Sequence, residues 1–147
     1  MFHPVRMRRK LCGESDILLV ATNSKEPVFD HGAIEAGLHV NSMGRPSELA
    51  PAVYRRAALT VVGDKQQELN LDLSRGFTQP LLELKAEPGF WPGVLELGDL
   101  VCGRGGRKDR EEITVFRESQ GGWGDVAFCN WILQKARKLG LGREVSF

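Results

Sequence analysis

Three short apolar runs at even spacing restrict this chain to very few architectures. Residues 16–22 (DILLVAT), 38–43 (LHVNSM) and 58–63 (ALTVVG) follow one another at intervals of about twenty residues, each short and partly β-branched, as a strand buried on both faces of a parallel sheet requires. The stretches between them are too long for hairpins and carry helix signals. Asp30 is placed to cap a short turn around 33–36, with Gly37 as its stop. Ser47 is placed to cap a helix through Arg56, on which Leu49, Ala52 and Val53 share a face and Pro51 falls near the first turn. Strand, helix, strand, helix, strand with right-handed crossovers gives one parallel sheet whose strands all end on the same edge.

Beyond Asp64 the pattern is weaker. Residues 65–73 read as helical, 80–84 as the start of another helix, and 87–93 (EPGFWPG) as a loop. Residues 111–117 (EEITVFR) return to strand composition. From 125 to 139 Cys129, Ile132, Leu133, Ala136 and Leu139 recur at helical spacing, with Asp125 as cap, Lys135, Arg137 and Lys138 near the end and Gly140 as stop. The expected fold class is α/β, a partial Rossmann-like parallel sheet with flanking helices that lacks the first βαβ unit.

Composition narrows the function. With 41% hydrophobic residues in 147 the chain has enough apolar material for one domain core. Its formal charge of +1 gives no footprint for nucleic acid, and no apolar run nears the roughly 18 residues of a membrane span. Cys12, Cys102 and Cys129 are odd in number and widely spaced, which suits neither a disulfide scaffold nor a zinc site and points to a reducing cytoplasm.

Ligands of open parallel sheets bind beyond the carboxyl ends of the strands. Those ends carry Thr22, Asn23 and Ser24 after the first run, Asn41, Ser42, Met43 and Gly44 at the second, and Gly63 and Asp64 at the third. Small hydroxyl and amide groups suit a ligand that needs hydrogen bonds, and Gly44 leaves room for a flat ring; equally, strands must end in turn residues. Ser119, ahead of the last helix, is presented at a further strand end. No Gly-x-Gly-x-x-Gly turn follows the first strand, and Gly103, Gly105 and Gly106 sit in a mixed-charge loop that reads as solvated surface. His3, His31 and His39 form no triad and no zinc spacing, so no catalytic residue is assigned and no metal is expected.

The blocks GESDILLVATNSKEPVF, GLHVNSMGRPSEL, LELGDLVCGR, ITVFRESQGG and GDVA resemble, in order, segments of the ornithine cyclodeaminase and mu-crystallin family. The resemblance implies NAD(P)-dependent chemistry on an amino or imino acid, with residues 15–147 as the rear half of a Rossmann-like NAD(P)-binding domain plus its C-terminal helix, and 1–14 as a basic, poorly ordered N-terminus. It places 21–24 by the adenosine of NAD or NADP, and Met43, Gly44 and Ser119 by the nicotinamide. In many relatives the loop after the glycine matching Gly44 is longer and carries a catalytic Asp and a Lys; here only Arg45, Pro46 and Ser47 precede Glu48, which argues against classical cyclodeaminase activity. The glycine fingerprint and substrate-binding front half are expected before Met1. The chain is then expected to be incompetent alone, poorly soluble, and paired as a homodimer or with a chain supplying the front half.

Overall fold

The computed structural model describes residues 12, 15–71, 74, 76–118 and 122–145. Among the described residues five strands, β1 (Ile17–Val20), β2 (His39–Ser42), β3 (Leu59–Val62), β4 (Leu95–Glu96) and β5 (Thr114–Arg117), form one sheet that is parallel at every pairing. The order is β1-β2-β5-β3-β4, so the last strand enters between β2 and β3. The α/β class expected from the spacing is the class observed.

Among the described residues six helices flank the sheet: α1 (Pro51–Arg56), α2 (Lys65–Leu69), α3 (Pro80–Leu84), α4 (Phe90–Gly93), α5 (Leu97–Val101) and α6 (Gly122–Leu139), with 3-10 turns at His31–Ala33 and Pro46–Glu48. Asp30 caps the first turn as expected, its carboxylate accepting from Gly32 N at 2.9 Å, but the turn ends at Ala33 and Gly37 follows at φ 84°. Ser47 does not cap a helix. Its hydroxyl donates to the Ser24 carbonyl at 2.7 Å, and the helix starts instead at Pro51, whose missing N–H costs nothing in a first turn and which holds Ala50 extended. Residues 90–101, expected to be loop in part, hold α4, β4 and α5. Helix α6 begins at Gly122, so Asp125 lies in its first turn, where the helix dipole favours an acid, and does not cap it.

Parallel neighbours in register share a face. Val20, Val40, Val62 and Val115 point to one side and are buried with Ile34, Leu49, Val53, Tyr54, Leu81 and Leu84; buried Cys12 joins this core. Each such aliphatic side chain contributes roughly 1.5–3 kcal/mol by leaving water. The opposite side is barer: Ile17 and Leu19 remain 61% and 65% exposed on β1, which is an edge strand. The apolar run of β1 therefore marks one buried face, not two. Toward β3, Leu97 and Leu100 of α5 close part of that face into a groove shared with His39, Arg107 and Phe116.

Within this groove His39 Nδ1 lies 2.8 Å from Thr114 Oγ1. Burial, and then the charge of Arg107, holds the His39 imidazole below its ordinary value of 6.5. The unfolded chain then binds a proton before the folded one does, so the contribution of His39 is complete above about pH 6.5 and is lost as pH falls from there through the lowered folded-state value. Urea midpoints measured between pH 7.5 and pH 5 should fall with acidity, and His39→Gln should flatten that slope. An unchanged slope in the variant would reject the assignment.

Candidate functional site

The carboxyl ends of β1 and β2 are joined by one fully buried carboxylate. Glu48, from the 3-10 turn after β2, accepts from Thr22 N and Thr22 Oγ1 through Oε2, both at 2.9 Å, and from Ser42 Oγ at 2.7 Å and Gly44 N at 2.9 Å through Oε1. An ionised carboxylate is costly to bury unless its lone pairs are filled, and here four donors fill them. The backbone adds Met43 N to Val20 O at 2.7 Å and Arg45 N to Thr22 O at 3.1 Å. Gly44 must be glycine, because a Cβ would stand well inside van der Waals contact of the Thr22 backbone and the Glu48 carboxylate.

Beneath this edge lies a second buried polar layer. Arg117, at the end of β5, donates through NH1 to the Gly44 carbonyl at 2.8 Å and more loosely to Ser42 O at 3.4 Å; its Nε is 3.4 Å from Glu68 Oε1, and both side chains are 0% exposed. Gln79 Nε2 donates to Glu68 Oε2 at 2.7 Å. Tyr54 is buried beside these charges, and burial pushes its phenol up against the opposing pull of Arg117. The two peptide groups that flank the Gly44 Cα are thus each held, the N–H by Glu48 and the carbonyl by Arg117.

At the rim, Arg45 extends from the same loop. Its Nε donates to Asn23 Oδ1 at 3.0 Å, and its guanidinium lies 4.5 Å from the centroid of the Phe77 ring, over which Lys25 Nζ also sits, at 5.9 Å. Among the described residues neither cation has a carboxylate within ion-pair distance.

The structure brings six of the seven residues singled out from the sequence to one edge; Ser119 lies outside the described residues. Thr22 and Gly44 direct polar groups inward to Glu48, while the Ser24 hydroxyl donates locally to Glu26 O at 2.7 Å in an exposed turn. Asn23 holds Arg45. Asn41 keeps a buried Oδ1 without a hydrogen-bond partner. Met43 is 50% exposed at the rim. Sequence reasoning passed over Glu48, Arg117 and Glu68, since single charged residues in an ordinary sequence read as solvated; an acid four residues after the strand-end glycine was the available signal. Among the described residues no group of His, Cys, Asp and Glu could hold a metal ion, and no helix is long and apolar enough to cross a membrane.

The chain is similar in sequence and fold to known proteins. The model of the ornithine cyclodeaminase/mu-crystallin family matches residues 5–138. A Delta(1)-pyrroline-2-carboxylate reductase of Bacillus cereus is 30% identical over 141 residues, covering 91% of this chain and 41% of the relative. The Thermococcus litoralis Delta(1)-pyrroline-2-carboxylate reductase, solved with NADH and L-proline, superposes with a TM-score of 0.69 at 30% identity, covering 93% of this chain and 42% of that one. A probable ornithine cyclodeaminase from Bordetella pertussis gives the same TM-score at 28% identity, covering 93% and 44%. The chain thus spans about two fifths of the length of the relatives it matches. With a family match over most of its length and a sheet of the same fold, the chain belongs to the ornithine cyclodeaminase/mu-crystallin family.

Proposed function

We propose that this chain is the rear half of the NAD(P)-binding domain of an enzyme acting on an amino or imino acid, and that it is incompetent by itself. The observation that carries this reading is Met43: half-exposed and apolar, it stands on a polar strand edge that Glu48 and Arg117 hold rigid. Such a platform fits the face of a flat ring. The fit is partial, because the Thr22 and Ser24 hydroxyls and the Gly44 N–H are committed within the protein; these residues would shape the edge, while Met43, Asn23, Asn41 and Ser119 would meet the ligand. A bound nicotinamide supplies or accepts a hydride. This chain's residues would set the tilt of the ring and keep water from one side of it. The pyrophosphate needs a glycine-rich helix N-terminus, and these 147 residues contain no Gly-x-Gly-x-x-Gly turn.

The likeness to a reductase solved with NADH and L-proline supports the cofactor and substrate class. A second reading, a module completed by a separately encoded front half, is favoured by the bare Ile17 and Leu19 on the β1 edge and by Phe128, Trp131 and Ile132 exposed on α6. Fluorescence titration with NADH and NADPH separates the outcomes. Weak, saturable binding is expected, reduced about tenfold or more, roughly 1.4 kcal/mol, by Met43→Asp, with no reduction of Delta(1)-pyrroline-2-carboxylate. Unchanged binding in that variant would reject the platform, and turnover by the chain alone would reject incompetence.

A further inference from the structure

We propose that the apolar stripe of α6 is a self-association surface, on which a second copy of this chain lays its own α6 in the opposite direction. The helix is 18 residues long, and Phe128, Ile132, Leu133 and Leu139 on it remain 46% to 61% exposed. A helix of that length is marginal in water without tertiary contacts. The stripe has the spacing of a coiled-coil seam: Asp125, Cys129, Ile132, Ala136 and Leu139 are separated by alternate steps of four and three residues, with Phe128 and Leu133 along its borders. Past Leu139, Gly140 turns at φ 66° and Leu141 N donates to Ala136 O at 2.9 Å, a Schellman turn that bends the tail back. An open groove of about 580 Å³ results, lined among others by Cys129, Ile132, Leu133, Ala136, Leu141 and Arg143.

The order of large and small residues along the seam selects a second copy as its occupant. In an antiparallel pair centred on Gln134, Cys129 faces Leu139 of the second copy, Ile132 faces Ala136, and Phe128 faces Gly140. Each of these layers sets a small residue against a large one, as close packing requires. The same register brings Asp125, the one acid of the seam, just past the end of the second copy's helix, to the tail that carries Arg143. Among the described residues neither Asp125 nor Arg143 has an ion pair. Arg137 and Lys138 lie in that last turn, and the antiparallel arrangement sets each positive helix N-terminus by a negative C-terminus.

A lipid surface suits the stripe less well, since the Asp125 carboxylate would have to enter hydrocarbon without a cation. A chain supplying the front half is the competing protein occupant. Self-pairing needs neither cofactor nor substrate.

Sedimentation velocity of the whole chain over a concentration series is the test, with far-ultraviolet circular dichroism reporting the fold of each variant. A reversible monomer–dimer equilibrium is expected. Ile132→Asp should weaken it about a hundredfold, because two-fold symmetry places the substitution at two sites of roughly tenfold each. Asp125→Arg and Arg143→Asp should each weaken the dimer and together restore most of it, which a loss of helix stability alone would not do. In a Cys102→Ser background, Leu139→Cys should cross-link to Cys129 of the second copy on air oxidation, whereas Lys138→Cys, on the opposite side of the helix, should not. A monomer at every concentration would overturn the surface and leave the stripe to a front-half chain or a lipid. Association indifferent to Ile132→Asp would also overturn it and place the contact elsewhere, as at the β1 edge. If Lys138→Cys cross-links as readily as Leu139→Cys, or the charge exchange restores nothing, the antiparallel register falls.

Discussion

Replacing Arg117 with methionine is expected to cost about 3–5 kcal/mol of unfolding free energy, the range for breaking a buried ion pair from one side. Methionine fills much of the volume, so the loss is electrostatic. Glu68, with no exposure to water, would lose the guanidinium beside its carboxylate while keeping the donation from Gln79, and the Gly44 carbonyl would lose the donation it now receives at 2.8 Å. The Glu68–Arg117 contact is itself loose, 3.4 Å between Nε and Oε1. Removing both charges with Glu68→Gln and Arg117→Met should therefore restore most of the stability, because a pair of this kind gains little over a neutral replacement. Urea denaturation of the two single variants and the double variant measures the cycle. A loss under about 1 kcal/mol in Arg117→Met would show that water reaches the pair.

These effects bear on what the sequence could disclose. The strands β1, β2, β3 and β5 are legible because each carries a short apolar, β-branched run, and their parallel arrangement follows from the length of the connections. The insertion of β5 between β2 and β3 is not legible, since it depends on long-range pairing that leaves no local pattern. Strand β4 is two residues long, Leu95–Glu96, too short for any alternation to show. Nor does the run DILLVAT reveal that Ile17 and Leu19 stay exposed, because burial of the second face depends on what packs there.

The strand-end rule picks out residues that the structure gathers at one edge, and there the hydroxyls of Thr22 and Ser24 donate to Glu48 and to the Glu26 carbonyl. Likewise the bare Cα of Gly44 first suggests room for a ring, whereas the space is already filled by Thr22 and Glu48. Polar residues at a strand end satisfy the backbone before they can serve anything else.

Glu48→Ala is expected to damage the edge still more locally. Truncation would leave the N–H groups of Thr22 and Gly44 and the hydroxyls of Thr22 and Ser42 without the acceptor that Glu48, itself with no exposure, now supplies. Each buried group left unsatisfied costs about 1–3 kcal/mol, so relaxation at two or three of them still leaves a loss of about 3 kcal/mol or more. Glu48→Gln separates shape from charge: one amide oxygen can serve half of the donors, but its NH2 would face the backbone N–H of the other half donor to donor, with only the hydroxyl there free to turn and accept. It should fall between wild type and alanine in stability. It should also loosen the Met43–Gly44 peptide, read as faster amide exchange at Met43, Gly44 and Arg45 relative to Val40 and Val62, which lie in the core and away from the substitution. Uniform acceleration across all five amides would mean that Glu48 stabilises the fold without stiffening the edge. Selective acceleration would mean that the rigidity of the proposed ring platform is produced by a carboxylate that need never touch a ligand.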